Sequence, residues 1–272
     1  MIKNILLIGK NSFITTQFKL FPKKNIRIKI ISFEEFKKKN IKNIKAFNYI
    51  INTTSNQNYI KKKYLPKNDH DLYIAKKIKN FNVVLVFLSS RKVYKKKNNP
   101  KETDQLLPKE NYSINKVITE KKLQIILEKK LLILRISNIV GLENRKKRKL
   151  HLNFVNSFFK NIKKNQLFYN SEIYKDFLSS KMFVKLIISL LKKNARGIYN
   201  ISIGKKVYLK KIINWLNFYN NKKNFKIKNK IKNVDSFYLN NFKLRKKTNT
   251  KITLKELEKD CKDISYKFFI KN

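Results

Sequence analysis

Cysteine and histidine are nearly absent from this 272-residue sequence: there is one Cys, Cys261, and two His, His70 and His151, far apart along the chain. A lone cysteine forms no internal disulfide and leaves no cysteine cluster for zinc. Two distant histidines supply neither a histidine metal site nor a Ser-His-Asp triad, so the expectation is a metal-free protein. Glycine and proline number only 4 each, which excludes collagen-like and Gly/Ser-linker architectures. No apolar run approaches the ~20 residues of a membrane span. The run Ile5 to Ile8 ends at Gly9 and is too short for a signal peptide, so a cytoplasmic location is expected. Hydrophobic residues make up 42% of the chain, enough to argue against wholesale disorder. The length suits one large domain or two unequal ones around a sizeable core.

Acidic residues are also scarce, 17 against 66 Lys and Arg, and the formal net charge is +49. Two readings compete. Such a charge attracts nucleic acid or anionic membranes. But Lys, Asn, Ile, Phe and Tyr, all with AT-rich codons, are abundant together, while Gly, Pro, Ala and Arg are scarce, as drift in an AT-rich genome would produce. The basic runs are scattered: Lys37 to Lys39, Lys61 to Lys63, Lys95 to Lys97, Arg145 to Lys149, and Lys222 with Lys223. A nucleic-acid binder gathers its lysines on one face with aromatics for stacking. The reading adopted is drift, with no specific nucleic-acid partner; a polyanion-binding protein is the rival, and lysines clustered on one surface would favour it. Either way the charge favours anionic ligands such as nucleotides.

Continuous apolar runs mark strands buried on both faces. Ile5 to Ile8, Ile26 to Ser32, Tyr49 to Thr53, Asn82 to Ser89 and Leu131 to Ile136 read as strands. Helical stretches fall between them: Phe13 to about Leu20, Asp71 to Lys79 and Tyr112 to Leu127. This alternation predicts a parallel sheet built from βαβ units. Further on, Asn153 to Lys163, Met182 to Leu191, Leu209 to Leu216 and Leu254 to Ile264 read as helices, and Gly197 to Ile203 as a short strand. Residues 95–101 read as a loop, and Asn220 to Lys232 as a loop or weak edge strand.

Three constellations follow strand ends, where open parallel sheets bind ligands. After the first strand comes Gly9-x-x-Ser12-x-x-Thr15. A dinucleotide turn needs Gly for the tight bend, then a small residue where the backbone approaches a pyrophosphate, then a small residue where helix meets sheet. Alone, these residues read equally as an ordinary strand-to-helix turn. After the fourth strand comes Ser89-Ser90-Arg91-Lys92-Val93-Tyr94, whose hydroxyls are also plain turn formers. Third is Tyr112-x-x-x-Lys116, which on a helix places both side chains on one face, with Ile114, Val117, Ile118 and Ile125 clustered on the other side. An ammonium near a phenol stabilises its ionised form and lets it exchange protons nearer neutral pH.

In order along the chain, these segments resemble the extended short-chain dehydrogenase/reductase family, specifically its nucleotide-sugar epimerases, dehydratases and reductases. The resemblance runs through Ile5 to Ile14, Ile50 to Thr54, Leu88 to Tyr94, Glu102, Pro108, Tyr112 to Lys116 with Glu120, Leu134 to Gly141, Lys175 to Phe177 and Gly197 to Gly204. It covers about residues 1–205, with a fainter echo at Ser236 to Lys246. It implies an α/β fold, a Rossmann-type parallel sheet with helices on both faces and a smaller C-terminal substrate-binding domain. Residues 1–140 and 173–204 would form the dinucleotide-binding domain, and 141–172 and 205–272 the substrate domain.

The resemblance also implies roles. Ser90, Tyr112 and Lys116 match the catalytic residues: Ser90 hydrogen-bonds the substrate oxygen, Tyr112 is the general acid/base, and Lys116 binds the nicotinamide ribose and lowers the Tyr112 pKa. Gly9, Ser12, Phe13 and Ile14 match the pyrophosphate loop, and Thr53 joins them on the cofactor side. Asn138 and Lys175 match contacts to a nucleotide-sugar diphosphate; Lys175 stands where an arginine is usual, keeping the charge but not the bidentate fork. Some positions depart from the pattern. Ser12 and Thr15 replace two fingerprint glycines, and Ser179-Ser180 stands where an Asp-Asp pair often follows. The second strand ends Ile30-Ile31-Ser32 with no acid for a ribose diol, and with Arg27 and Lys29 nearby this tilts the cofactor from NAD towards NADP. At the positions after Ser90, where 4,6-dehydratases carry an Asp-Glu pair, stand Arg91 and Lys92. The expected function is NAD(P)-dependent reduction or epimerisation of a nucleotide-linked sugar, for surface polysaccharide, in a protein that is a candidate homodimer. A non-catalytic Rossmann remnant that binds a nucleotide or a partner protein is the main alternative.

Overall fold

A computed structural model of the chain describes residues 3–21, 24–40, 43–142, 154–163, 166–168, 173–221, 226–228 and 236–271. In chain order the first half runs β1 (Lys3–Ile8), α1 (Phe13–Leu20), β2 (Ile26–Ile31), α2 (Phe33–Lys38), β3 (Tyr49–Asn52), α3 (Gln57–Lys61), α4 (His70–Ile78), β4 (Val84–Ser90), α5 (Asn111–Leu127) and β5 (Leu131–Ile136). The second half runs β6 (Asn138–Val140), α6 (Phe154–Lys163), β7 (Gln166–Phe168), β8 (Tyr174–Lys175), β9 (Phe177–Ser179), α7 (Ser180–Lys192), β10 (Gly197–Ile201), β11 (Val207–Tyr208), α8 (Leu209–Leu216), β12 (Lys226–Lys228), α9 (Phe242–Thr248) and α10 (Leu254–Phe269).

Six strands form one parallel sheet in the order β10-β5-β4-β3-β1-β2. The chain moves outward from β1 to β2, then crosses back to lay β3 on the other side of β1. That reversal is a topological switch point, and it opens a crevice above the ends of β1 and β3. Successive strand residues point to opposite faces. Ile5, Leu7, Ile51, Val84, Val86, Leu132 and Leu134 pack with Phe183, Leu186, Ile187 and Leu190 of α7. Their neighbours Leu6, Ile8, Ile50, Leu85, Phe87 and Ile133 pack on the other face with Phe36 of α2, Ile74 and Ile78 of α4, and Leu123 and Leu127 of α5. Ile5 to Ile8 are all 0% exposed, which is why this stretch is apolar without alternation. Cys261 of α10 is buried in the first of these layers, and burial pushes its thiol pKa well up, so it acts as a small core residue.

The five strands read from the apolar runs form within two residues of their expected ends. The short helices α2, α3 and α9 were not legible in the sequence. They have only 6, 5 and 7 residues, too short to show a clear 3.6-residue period, and the first two start from a side-chain cap. Ser32 caps α2 with Glu35 in a reciprocal box, and Asn56 caps α3 through its side chain. The last helix continues five residues past the expected Ile264, to Phe269. Within 220–232, Lys226–Lys228 is a strand paired in parallel with β7; residues 222–225 and 229–232 lie outside the described ones, as does Asn153.

The isoleucine side of α5 is not its packed side: Ile114 is 36% and Ile125 78% exposed. The helix instead buries Asn115, Lys116, Thr119 and Glu120 with Leu123 and Leu127. Each of those polar groups has work inside. Asn115 Nδ2 donates to the Tyr59 and Lys62 carbonyls at 2.7 and 2.9 Å, and Thr119 Oγ1 donates to Asp69 Oδ2 at 2.6 Å. Asp69 in turn caps α4 by accepting from Leu72 N at 3.0 Å. This polar seam fixes α3, α4 and α5 against one another. No helix among the described residues is long and apolar enough to cross a membrane.

Candidate active site at the strand ends

The turn after β1 is shaped by Gly9. Its φ is +123°, and a Cβ there would lie 2.4 Å from Thr53 Oγ1 and 2.9 Å from Thr54 Cγ2, so no other residue fits. Ser12 caps α1 by accepting from Thr15 N at 3.0 Å. Thr53 Oγ1 donates to the Ile8 carbonyl at 2.8 Å and accepts from Ser12 Oγ at 2.6 Å. Thr15 Oγ1 lies 2.9 Å from both hydroxyls. The two hydroxyl residues that replace fingerprint glycines are thus satisfied by each other and by Thr53, and Thr15 is fully buried where α1 meets the sheet. The helix N-terminus keeps its polarity for an anion. Ile14 lines the crevice, whereas the Phe13 ring turns towards Gly141.

Beside this turn lies a cavity of about 250 Å³. Ser90, Tyr112 and Lys116 line it together, with Ile14 and Thr53 from the turn side and Asn52, Asp71 and Ser137. β4 ends at Ser90, whose Oγ accepts from Lys92 N at 3.2 Å. Tyr112 stands in the first turn of α5, whose start is set by Glu110 N donating to Ser113 Oγ at 3.3 Å. Lys116, one turn on, is 5% exposed, and its ammonium lies 4.4 Å from the centre of the Phe87 ring, 5.5 Å from Tyr59 and 5.8 Å from Tyr112. The aromatic faces stabilise the buried cation where full hydration is lost.

A buried polar network holds this edge of the cavity. Ser89 Oγ donates to Glu120 Oε1 at 2.5 Å, and Arg135 of β5 pairs with Glu120 Oε2 at 2.7 Å, with both charged side chains at most 3% exposed. Arg135 also donates to Tyr94 OH at 3.1 Å, and Tyr94 OH donates to Asn200 Oδ1 at 2.6 Å. The segment after Ser90 is thereby tied to α5, β5 and β10.

A second, larger cavity of about 460 Å³ is lined by Arg91 and Ser113, the sequence neighbours of Ser90 and Tyr112, and by both Asn138 and Lys175. Asn138 N donates to the Asp176 carbonyl at 3.2 Å, which joins β6 to the β8–β9 turn. Asp176 is fully buried and accepts from Ile203, Gly204 and Leu239 backbone N–H at 2.9, 3.0 and 3.2 Å; burial pushes its pKa up to about 7. The rim is strongly basic: Arg91, Lys92, Lys95, Lys96, Lys97, Lys109 and Lys175 face Glu110 as the one carboxylate of the lining. Local lysine clustering therefore exists, but at a concave site sized for a small anionic ligand. Arg91 stacks on Phe237 with its guanidinium 3.4 Å from the ring centre, and Lys92 pairs with Glu110 at 2.7 Å.

The structure thus brings Ile14 and Thr53 to one cavity with Ser90, Tyr112 and Lys116, packs Gly9 and Ser12 against Thr53, and places Asn138 with Lys175 in the second cavity. Sequence reasoning missed Asp71, Glu120's pairing with Arg135, and Asn52. A carboxyl at 71 in the first turn of a helix reads as ordinary dipole complementarity, so its sequence signal was absent.

No family model matches the sequence, and no curated protein matches it. Solved structures do match over the whole length. UDP-N-acetylglucosamine 4-epimerase from Methanobrevibacter ruminantium M1, in complex with UDP-N-acetylmuramic acid, is similar with TM-score 0.82 and 18% identity over 100% of both chains. dTDP-glucose 4,6-dehydratase from Bacillus anthracis in complex with NAD gives 0.74 and 15% over 97% of each. A dTDP-4-dehydrorhamnose reductase from Clostridium acetobutylicum gives 0.72 and 16% over 96% of this chain and 98% of that one. The chain shares the fold of these structures, a Rossmann-type parallel sheet with helices on both faces. At these identities the likeness speaks for the fold, and the chemistry must be argued from the side chains.

Proposed function

We propose that this protein is an NAD(P)-dependent epimerase or reductase acting on a nucleotide-linked sugar. The observation that carries the reading is the convergence of Ser90, Tyr112 and Lys116 on one cavity that also receives the Gly9 turn. The residues fit a dinucleotide: Gly9, at φ +123° and closed in by Thr53 and Thr54, makes the tight turn, and the N-terminus of α1, capped by Ser12, follows it. A bound nicotinamide supplies hydride exchange with a sugar carbon. The chain's own residues handle the proton. Tyr112 takes it from a sugar hydroxyl, or returns it to a carbonyl oxygen, and Ser90 hydrogen-bonds that oxygen. Lys116, with its ammonium 5.8 Å from the centre of the Tyr112 ring, sets a positive charge beside the phenol during the transfer. The basic cavity with Asn138 and Lys175 receives the diphosphate.

Dehydration needs a carboxyl acid to protonate the leaving oxygen and a base to take the neighbouring proton. At the corresponding positions Arg91 stacks on Phe237 and Lys92 is paired with Glu110. Arg stays protonated and is a poor donor, so the proposed chemistry is epimerisation or reduction without loss of water. For the cofactor, Ser32 rather than an acid ends the second strand, and Glu35 is engaged by Lys10 at 2.5 Å and by Ser32 N at 2.6 Å. Glu34 is paired with Lys37 at 2.9 Å, so among the described residues no unpaired carboxylate at the end of β2 is left to favour a 2′-hydroxyl, and this supports NADP. A role in surface polysaccharide synthesis and a cytoplasmic location belong to the same reading.

The test is incubation with NADH, NADPH or NAD⁺ and a panel of nucleotide-hexoses, followed by mass and chromatographic analysis. An isomer or a product heavier by two hydrogens is expected. A product lighter by one water would overturn the assignment of reaction type, and absence of cofactor binding would favour a Rossmann remnant without catalysis.

A further inference from the structure

The larger cavity holds more positive charge than a diphosphate calls for. Seven of its fifteen lining residues are Lys or Arg, against 66 of 272 in the whole chain, close to double the share that evenly spread lysines would give. Two of these cations differ from the rest. Arg91 and Lys175 are partly buried, whereas Lys92, Lys95, Lys96, Lys97 and Lys109 are exposed. An exposed lysine is screened and loses side-chain entropy when it is fixed on a ligand. Arg91 is already held. Its guanidinium lies 3.4 Å from the centre of the Phe237 ring, and Phe237 is 4% exposed, with its N–H donating to the Tyr174 carbonyl at 3.3 Å. The turn that carries Arg91 is fixed as well: Ser90 Oγ accepts from Lys92 N at 3.2 Å, and Tyr94 N donates to the Arg91 carbonyl at 3.2 Å. Stacking occupies a face of the guanidinium and not the donors in its plane.

Position decides which anion Arg91 meets. With Lys175 and Asn138 on the diphosphate, and Ser90 on the oxygen of the reacting carbon, the sugar lies towards Ser90. Arg91 is the next residue, its Cα ~3.8 Å from that of Ser90 across a trans peptide. We propose that Arg91 selects a nucleotide-linked hexuronic acid, a sugar whose exocyclic carbon is a carboxylate. This rests on the functional reading above and narrows its substrate class. A planar carboxylate takes two parallel N–H bonds from one guanidinium fork, and a neutral hydroxymethyl group at the same carbon does not.

The test is calorimetric titration of UDP-glucuronic acid and UDP-glucose, and of the corresponding thymidine diphosphate pair, in the presence of NADPH. Wild type is expected to bind the uronate about tenfold more tightly than the glucose form, the effect of one charge-assisted pairing. Arg91→Gln should bring that ratio close to one, and Arg91→Lys, which keeps the charge without the fork, should lose most of it. Lys96→Gln removes an exposed rim charge and should keep the ratio. Equal affinity of wild type for the two sugars would overturn the proposal. So would a ratio that survives Arg91→Gln, or one that Lys96→Gln lowers as far, because the preference would then belong to the general field of the chain. If wild type binds no nucleotide sugar at all, the functional reading itself fails, and the proposal with it.

Discussion

Ser12 and Thr53 are joined by a 2.6 Å hydroxyl–hydroxyl hydrogen bond, and the Cα of Gly9 passes so close to the same Thr53 oxygen that a Cβ would lie 2.4 Å away. One glycine thus suffices in this turn because hydroxyls fill the space that further glycines would leave. Gly9→Val adds a branched side chain at φ +123° and against Thr53. It should abolish cofactor binding, measured by calorimetry as loss of a detectable heat up to about millimolar ligand, a limit of ~−4 kcal/mol.

Tyr112→Phe removes the proton-transfer group and leaves the ring. Turnover should fall by about 10²–10⁴ while cofactor affinity stays close to wild type. Lys116→Ala should damage both, because the proposed roles give one ammonium both the ribose and the phenol. Steady-state kinetics together with NADH titration separate the two variants. Normal turnover in Tyr112→Phe would contradict the assignment.

Arg135 and Glu120 form a buried pair at 2.7 Å. Arg135→Met leaves the Glu120 carboxylate buried without its partner, which should cost about 3–5 kcal/mol of stability. Urea denaturation at neutral pH measures this. Glu120→Gln with Arg135→Met in one chain should recover part of the loss, since neither residue then carries an unpaired buried charge.

Burial pushes the Asp71 pKa from the usual carboxylate range up to about 7, with Asp69 adding to the rise. Its folded-state pKa lies above its unfolded one, so the folded protein holds a proton that the unfolded chain releases. The associated stability is present below about pH 4 and is lost as pH rises towards 7. Asp71→Asn should therefore melt above wild type at pH 8 and close to it at pH 4.5. A difference independent of pH would show that Asp71 does not carry this linkage.

Binding to duplex DNA should be weak, indifferent to sequence and steeply reduced by salt, as the net charge of +49 requires of any protein so basic. A fluorescence titration across a salt series checks it. Tight binding with a clear sequence or structural preference would restore the polyanion reading.

The strands of the sheet were legible because a strand covered on both faces needs continuous apolar residues, and Ile5 to Ile8 or Val84 to Leu88 can hardly be anything else in this context. The order of Gly9, Ser90, Tyr112 and Lys116 was legible because each follows a strand end or keeps a fixed helical spacing. The buried face of α5 was not. Periodicity assigns burial to isoleucine, yet Ile125 faces outward while Asn115, Lys116, Thr119 and Glu120 go in. Burying those groups is tolerable only because partners distant in sequence, the Tyr59 carbonyl, Asp69 and Arg135, meet them in space. Local sequence determined where strands run and which residues end them. Only the tertiary structure decided that Asp71 would line one cavity with Lys116, because bringing together two residues 45 positions apart depends on how α4 and α5 dock, and no local pattern encodes that docking.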